Sequence, residues 1–386
     1  MSATDPSKFY QVMVIAGEAS GDLHGSHLIQ AAAEHYPQLS FFGVGGDKMG
    51  GAGCKILFPS DELSVMGVVE VVKQLPKIFR RFRQLKKILL GSSPPDLLVL
   101  IDFPDFNLRL AKVAKAVGIP ILYYISPKVW AWRSGRAKII AERVDRLALI
   151  FPFEREIYGP LGVDAEYVGN PLLDEFTQNQ PQGDLRKKLS IGADEQVIGI
   201  FPGSRNSELE HILDTLVATA ELLYTRKPAA KFLLPVAPSL SRDLLEQRFS
   251  QTGVPIVIVE ENIYEVAMAC DAVLTVSGSV TLQLSLVGTP MAILYKVAPL
   301  SYSIGKFLIK ITSFGLPNIV AGRKIVREFI QEAAEPASMC DEMLRLLDDQ
   351  DYRKKMEQDL KEVRQLLGAP GCSLRVSDMI VEMLSA

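Results

Sequence analysis

Val197-Ile198-Gly199-Ile200-Phe201-Pro202-Gly203-Ser204-Arg205 and Ala272-Val273-Leu274-Thr275-Val276-Ser277-Gly278-Ser279-Val280-Thr281 share one pattern: a mostly apolar run, a turn carrying glycine, and a helix start. An apolar run of this length between turn signals reads as a parallel strand buried on both faces. A helix start offers unpaired backbone N–H groups and the positive end of the helix dipole, and both suit a phosphate. Glycine lets the main chain approach an anion closely, and Arg205 adds a fixed charge with bidentate reach. Each turn alone reads more simply as an ordinary strand-to-helix connection. The pair, with its arginine, points to a diphosphate held between neighbouring strand ends.

Strands and helices alternate along the rest of the chain. In the first half, residues 11–16, 41–44, 96–101, 120–125, 147–151 and 166–168 read as strands, and 23–35 and 106–117 as helices. In the second half the strands fall at 197–201, 231–236, 255–259, 272–276 and 291–295. From Pro336 the chain reads as helical and charged, with a break at Gly368-Ala369-Pro370-Gly371 before a last helix. This predicts an α/β protein with two doubly wound parallel sheets in tandem. Residues 170–183, rich in Pro, Asn, Gln and Gly, read as the linker. The expected domains are therefore 1–175 and 184–367. The last helix, about 371–386, either packs back on the first domain or reaches a partner chain, so a homodimer is open. Ligands of such sheets sit outside the carboxyl ends of the strands. Both glycine turns and Asp102 lie at such ends, so the expected site is the cleft between the domains.

Composition excludes several classes. The net charge of −3 gives no global support for nucleic-acid binding. Cys54, Cys270, Cys340 and Cys372 lie far apart without a CxxC pair, and His24, His27, His35 and His211 form no HExxH pattern. No metal site or disulfide framework is expected, and a reducing cytosol fits. Residues 1–8 are polar and the first apolar run is only strand length, so no export leader is read. No run approaches the roughly 20 apolar residues that span a bilayer. Mean hydropathy is nevertheless +0.16, which leaves room for touching a membrane without crossing it.

One segment departs from the alternation. Residues 73–90 contain no acid. Pro76 is expected to open a helix whose apolar members are Ile78, Phe79, Phe82, Leu85, Ile88 and Leu89. Lys77, Arg80, Arg81, Arg83, Lys86 and Lys87 fill its other face. Val65, Met66, Val68, Val69, Val71, Val72 and Leu75 form an apolar stretch before and into it. A basic amphipathic helix beside an apolar stretch suits an anionic membrane surface. A domain helix with its apolar face in the core fits the spacing as well.

Three further places carry candidate chemistry. Glu18 lies in the turn Gly17-Glu18-Ala19-Ser20-Gly21-Asp22, where Ser20 or Asp22 is expected to cap the following helix. Asp102 ends the apolar strand 96–101. Desolvation there raises a carboxyl pKa toward the range of a general base, and plain helix entry is the alternative. Asp105 is expected at the N-cap of 106–117, and Asn107 is either a helper or a first-turn residue. Pro127-Lys128-Val129-Trp130-Ala131-Trp132-Arg133 holds both tryptophans, which would stack on a sugar or pack in the core.

Taken in order, Gly17–Asp22, Asp102–Asn107, Pro127–Trp132, Pro202–Arg205, Ser277–Leu282 and Leu316-Pro317-Asn318-Ile319-Val320-Ala321-Gly322-Arg323 resemble the lipid A disaccharide synthases. The resemblance implies the GT-B fold, with two Rossmann-like domains facing a cleft. It implies an inverting transfer from UDP-2,3-diacylglucosamine to the 6-hydroxyl of 2,3-diacylglucosamine 1-phosphate (lipid X), giving a β-1,6 disaccharide 1-phosphate and UDP. Asp102 would be the base, with Glu18 and Asn318 at the catalytic centre. Gly203, Ser204, Arg205, Ser277, Gly278, Ser279, Thr281 and Gln283 would hold the UDP-sugar without a metal or other cofactor. Val68, Val69, Val72, Leu75, Phe79, Arg80, Arg81 and Phe82 would face membrane or acyl chains. The family implies a peripheral protein at the inner face of the cytoplasmic membrane. Two residues depart from the family's pattern: Gln283 stands where a glutamate usually serves the ribose hydroxyls, and Asn170 stands where histidine is frequent. The alternatives are a transferase or epimerase acting on another UDP-sugar, and a non-catalytic UDP-sugar or lipid-binding protein.

Overall fold

The computed structural model describes residues 8–63, 68–131, 134–179, 183–237, 239–297 and 313–385, without side chains at 68–73 and 206–208. The chain divides into two compact units, residues 1–174 with 369–386, and residues 175–368.

The first unit is built on seven strands: β1 (Tyr10–Ala16), β2 (Leu39–Gly45), β3 (Lys55–Pro59), β4 (Leu97–Ile101), β5 (Ile121–Tyr124), β6 (Arg146–Leu149) and β7 (Asp164–Tyr167). They form one sheet in the order β3-β2-β1-β4-β5-β6-β7, and every pair is parallel. The strands read as continuous apolar runs because both faces are covered. Leu98 and Leu100 of β4 face one core, and Leu97, Val99 and Ile101 face the other.

The second unit repeats this plan with β8 (Val197–Phe201), β9 (Lys231–Pro235), β10 (Ile256–Val259), β11 (Ala272–Val276), β12 (Met291–Tyr295) and β13 (Glu328–Ile330). Its order is β10-β9-β8-β11-β12-β13, again all parallel. In both sheets the first strand of the unit sits centrally, and the strand order reverses beside it. That reversal opens a crevice at the carboxyl ends of β1 and β4, and another at those of β8 and β11. These are the strand ends that carry Glu18, Asp102 and the two glycine turns.

Several boundaries differ from the expectations. The stretch 170–183 contains the helix Pro171–Gln178, and the unit boundary falls inside it, between Asp174 and Glu175. Its proline and asparagine are start signals rather than linker composition. Asn170 Oδ1 accepts from the Leu172 N–H at 3.1 Å, and Pro171 occupies the first helical position. The helix expected to open at Pro76 already runs from Val68 to Leu89, with Pro76 inside at the cost of one backbone hydrogen bond. Strands β3 and β13 carry too few alternating apolar residues to stand out in the sequence.

The final helix, Cys372–Ser385, belongs to the first unit. Asp174 supplies its N-terminal cap from far along the chain, accepting from the N–H groups of Gly371 (2.5 Å), Cys372 (3.4 Å) and Ser373 (3.2 Å). The Tyr36 hydroxyl donates to Asp378 Oδ1, and Cys372, Val376, Met379 and Ile380 complete one core.

Asp22 also caps a helix, though not its own. The helix Ala19–His35 starts after an extended Glu18, with no side-chain cap. The Asp22 carboxylate instead accepts from Gly46 N (2.6 Å), Met49 N (3.0 Å) and Lys48 N (3.2 Å), at the start of the helix Asp47–Gly51. Asp22→Ala leaves these donors in a nearly closed site. It should cost about 1–3 kcal/mol in urea unfolding. A loss below about 0.5 kcal/mol would show that water takes the carboxylate's place.

Candidate active site

In the first unit the chain leaves β4 through two consecutive left-handed residues, Asp102 (φ 44°) and Phe103 (φ 48°), before the helix Pro104–Ala116. Left-handed backbone costs roughly 1–2 kcal/mol per non-glycine residue, so the turn needs a hold. The Asp102 carbonyl provides one: the Tyr123 hydroxyl donates to it at 2.5 Å and Asn107 Nδ2 at 2.8 Å. Asn107 Nδ2 also reaches the Ile101 carbonyl at 3.2 Å. The Phe103 ring fits only because residue 17 lacks a side chain. A Cβ on Gly17 would lie 2.2 Å from the ring.

The turn directs the chain so that the Asp102 carboxyl is largely removed from water. Burial, and then the negative charge of Glu18, push its pKa up to about 6, opposed by Lys128 and the Phe103 N–H. Glu18 follows the end of β1 and Asp102 the end of β4, strands that are neighbours in the sheet. Asp105 is not the N-cap expected of it: Phe103 occupies that position, and Asp105 sits in the first turn and pairs with Arg136. Asn107 and Tyr123 support the turn, and nothing in the sequence pattern marks Tyr123.

Trp130 packs edge-on against Phe151 and Phe153 at 6.4 and 5.5 Å between ring centres, which is the core reading of that residue. Buried Glu154 lies in the same cluster. Burial pushes its carboxyl up to about 8, opposed by the Phe151 N–H, which donates to Glu154 Oε2 at 3.2 Å. Trp132 and Arg133 lie outside the described residues.

In the second unit a cavity of about 670 Å³ opens at the carboxyl ends of β8, β9 and β11. That volume lies within the range of small-molecule sites. Gly203, Ser204, Arg205, Ser277, Gly278, Ser279 and Gln283 all line it. Gly203 has a φ of +85°, and a Cβ there would stand 2.5 Å from Val276 Cγ2, so the turn requires glycine. Arg205 immediately precedes the helix Asn206–Arg226, and Ser279 precedes Val280–Val287, so both helix starts open on the cavity. Ser277 Oγ donates to the Phe314 carbonyl at 2.9 Å, which leaves its oxygen as an acceptor.

Thr281, expected at the UDP-sugar, and Asn318, expected at the catalytic centre, both make bonds within the protein. Thr281 is fully buried, and its hydroxyl donates to the Gly278 carbonyl at 2.7 Å, bracing the turn from behind. Asn318, 2% exposed, has both amide positions filled. Nδ2 donates to Val326 O (2.8 Å) and Glu328 Oε1 (2.7 Å), and Oδ1 accepts from Ile325 N and Val326 N. Glu328 in turn accepts from the N–H groups of Phe314 and Gly315. Asn318 therefore holds the segment that Ser277 bonds, with its amide committed within the protein. Asn170, another departure from the family's pattern, is also structural, with Nδ2 donating to the Ile150 carbonyl.

The sequence reading missed the far wall, formed by Pro235–Ala237, Leu240, Arg242 and Glu260–Ile263. The strands β9 and β10 leading to it were legible. Their ends carry no glycine turn to mark them.

On the helix Val68–Leu89, Leu85 and Leu89 are buried, and Ile78, Phe82 and Ile88 pack on the core. Phe82 meets Phe106 edge-on at 5.6 Å, and Arg81 chelates Glu62 while covering the Phe58 ring. Neither faces outward as expected. Leu75 (39% exposed), Phe79 (52% exposed) and Arg80 do. The side chains of Val68, Val69 and Val72 lie outside the described residues. Among the described residues no helix is long and apolar enough to cross a membrane.

Two sheets of this topology with sites at their switch points define the GT-B fold of nucleotide-sugar enzymes. Solved structures agree at the level of fold. The glycotransferase of kitacinnamycin superposes with a TM-score of 0.65 over 97% of this chain and 99% of its own, at 14% identity. The UDP-GlcNAc 2-epimerase from Neisseria meningitidis bound to UDP-GlcNAc gives 0.65 over 96% and 100%, at 12% identity. The family model described as lipid-A-disaccharide synthetase matches residues 12–379. The lipid-A-disaccharide synthase of Syntrophotalea carbinolica is 54% identical over 97% of this chain and 95% of its own. The chain belongs to the lipid-A-disaccharide synthase family, and it is a glycosyltransferase.

Proposed function

We propose that the protein joins UDP-2,3-diacylglucosamine to lipid X in one inverting displacement, releasing the β-1,6 disaccharide 1-phosphate and UDP. The observation that carries the mechanism is Asp102: a carboxyl raised to about 6 on a braced, left-handed turn at a strand end. At neutral pH it is ionised yet poorly solvated, which suits it to take the proton from the acceptor 6-hydroxyl. Glu18 beside it helps to orient that acceptor. The second unit's cavity takes the UDP moiety. Arg205 and the N–H groups of the two turns stabilise the diphosphate as negative charge develops on it, a task that calls for no resident metal.

The acyl chains of both substrates call for an apolar approach. The exposed Leu75 and Phe79, one helical turn apart and flanked by Lys77, Arg80 and Arg83, supply an apolar and basic surface for the inner face of the cytoplasmic membrane. The double variant Leu75→Ser, Phe79→Ser should bind vesicles containing anionic lipid at least about tenfold more weakly, since each large apolar side chain contributes on the order of 1 kcal/mol or more. Unchanged vesicle binding would remove this surface from the account.

The reaction is tested with purified protein in mixed micelles supplied with both lipid substrates. Mass spectrometry should show UDP and an acylated disaccharide 1-phosphate in equal amounts. Turnover of UDP-N-acetylglucosamine in place of the acylated donor would refute the assigned donor.

A further inference from the structure

Gln283 sits on the cavity wall with its amide held from behind. Its Nε2 donates to Glu175 Oε1 at 3.1 Å, and the Tyr264 hydroxyl donates to the same oxygen at 3.3 Å. A carboxylate only accepts, so the amide nitrogen must face Glu175. Gln283 Oε1 is then the free acceptor, with no partner among the described residues, on a side chain that lines the cavity. The two glutamates that line the cavity are already paired: Glu260 with Arg242 and Glu261 with Lys188. Glu175 has no basic partner among the described residues. Glu175 does not line the cavity, and its bond to the Gln283 amide ties it to the wall. A carboxylate bonded to the N–H end of an amide also strengthens the oxygen at the other end as an acceptor.

We propose that Glu175 is a specificity-determining positioning residue: it locks Gln283 so that Oε1 accepts a hydrogen bond from the vicinal ribose hydroxyls of the bound nucleoside diphosphate. Glu175 and Gln283 act as one unit in which the charge stands behind the contacting atom. The inference rests on the nucleotide reading of the cavity given above.

The test is calorimetric titration of the full-length protein with UDP and with 2′,3′-dideoxy-UDP. The wild type should prefer UDP by about tenfold or more, the equivalent of about 1.4 kcal/mol. Glu175→Gln offers both a donor and an acceptor to Gln283 and so frees the amide to turn over. It should weaken UDP several-fold, leave the dideoxy nucleotide unchanged, and bring the preference close to one. The swap Glu175→Gln, Gln283→Glu keeps the shape and the hydrogen bond while placing the carboxylate on the cavity wall. It should restore the preference, even if the single variant proves poorly folded. Equal weakening of both nucleotides in Glu175→Gln, or a swap that stays indifferent to the hydroxyls, would overturn the inference and leave UDP binding intact. A wild type that binds neither nucleotide would overturn the nucleotide reading and this inference with it.

Discussion

Asp102→Asn should reduce transfer by about 10²–10⁴-fold while leaving UDP binding unchanged. The substitution keeps the shape of the side chain and the bonds of Tyr123 and Asn107 to the residue's carbonyl, since those grip the backbone. Only the capacity to take a proton is lost. For the wild type, kcat/KM should fall as pH drops through about 6, because protonation of Asp102 removes the base. Stability should move the opposite way. The folded-state pKa is raised above the unfolded value of 3.8, so the folded protein holds the proton more tightly. The site's contribution is fully favourable only below that unfolded value and is lost as pH rises through about 6. Asp102→Asn should therefore raise the melting temperature at pH 8 and leave it nearly unchanged at pH 4. Residual activity above about one tenth of wild type, or a melting temperature unaffected at pH 8, would remove Asp102 from the role of a desolvated base.

Arg205→Ala should lower kcat/KM by about 10²–10³-fold and weaken UDP itself. Arg205 follows Gly203 by two residues and immediately precedes a 21-residue helix, so a fixed charge stands where the helix start already favours an anion. Arg205→Lys should recover only part of the loss, because an ammonium lacks the planar fork that grips two phosphate oxygens. A loss confined to kcat, with UDP affinity intact, would mean that Arg205 meets charge only in the transition state. Normal affinity together with normal turnover would take the diphosphate out of this turn.

Much of the fold was legible because parallel strands covered on both faces leave unbroken apolar runs. Leu97–Ile101 and Ala272–Val276 announced themselves in this way, and their carboxyl ends located Asp102 and the Ser277 turn. Roles that depend on long-range contacts were not legible. Asp22 sits in a glycine turn like a cap for its own helix, yet it holds residues 46–49 across the unit. Asn170 and Pro171 have linker composition, and only the tertiary fold makes them a helix start. Arg81 and Phe82 share a basic amphipathic pattern with Phe79, but Glu62 and Phe106 claim them. Gln283 showed as a missing glutamate. Its partner Glu175 lies 108 residues away, and no local pattern connects the two.

The measurement that bears most directly on single-displacement transfer by Asp102 is the anomeric configuration of the new linkage. Proton NMR of the disaccharide 1-phosphate made from the α-linked donor should show the large trans-diaxial coupling of a β anomer. That outcome means inversion, with one nucleophile, one base and no covalent sugar intermediate. An α linkage would mean retention, and a mechanism in which Asp102 does not act as the base of a single displacement.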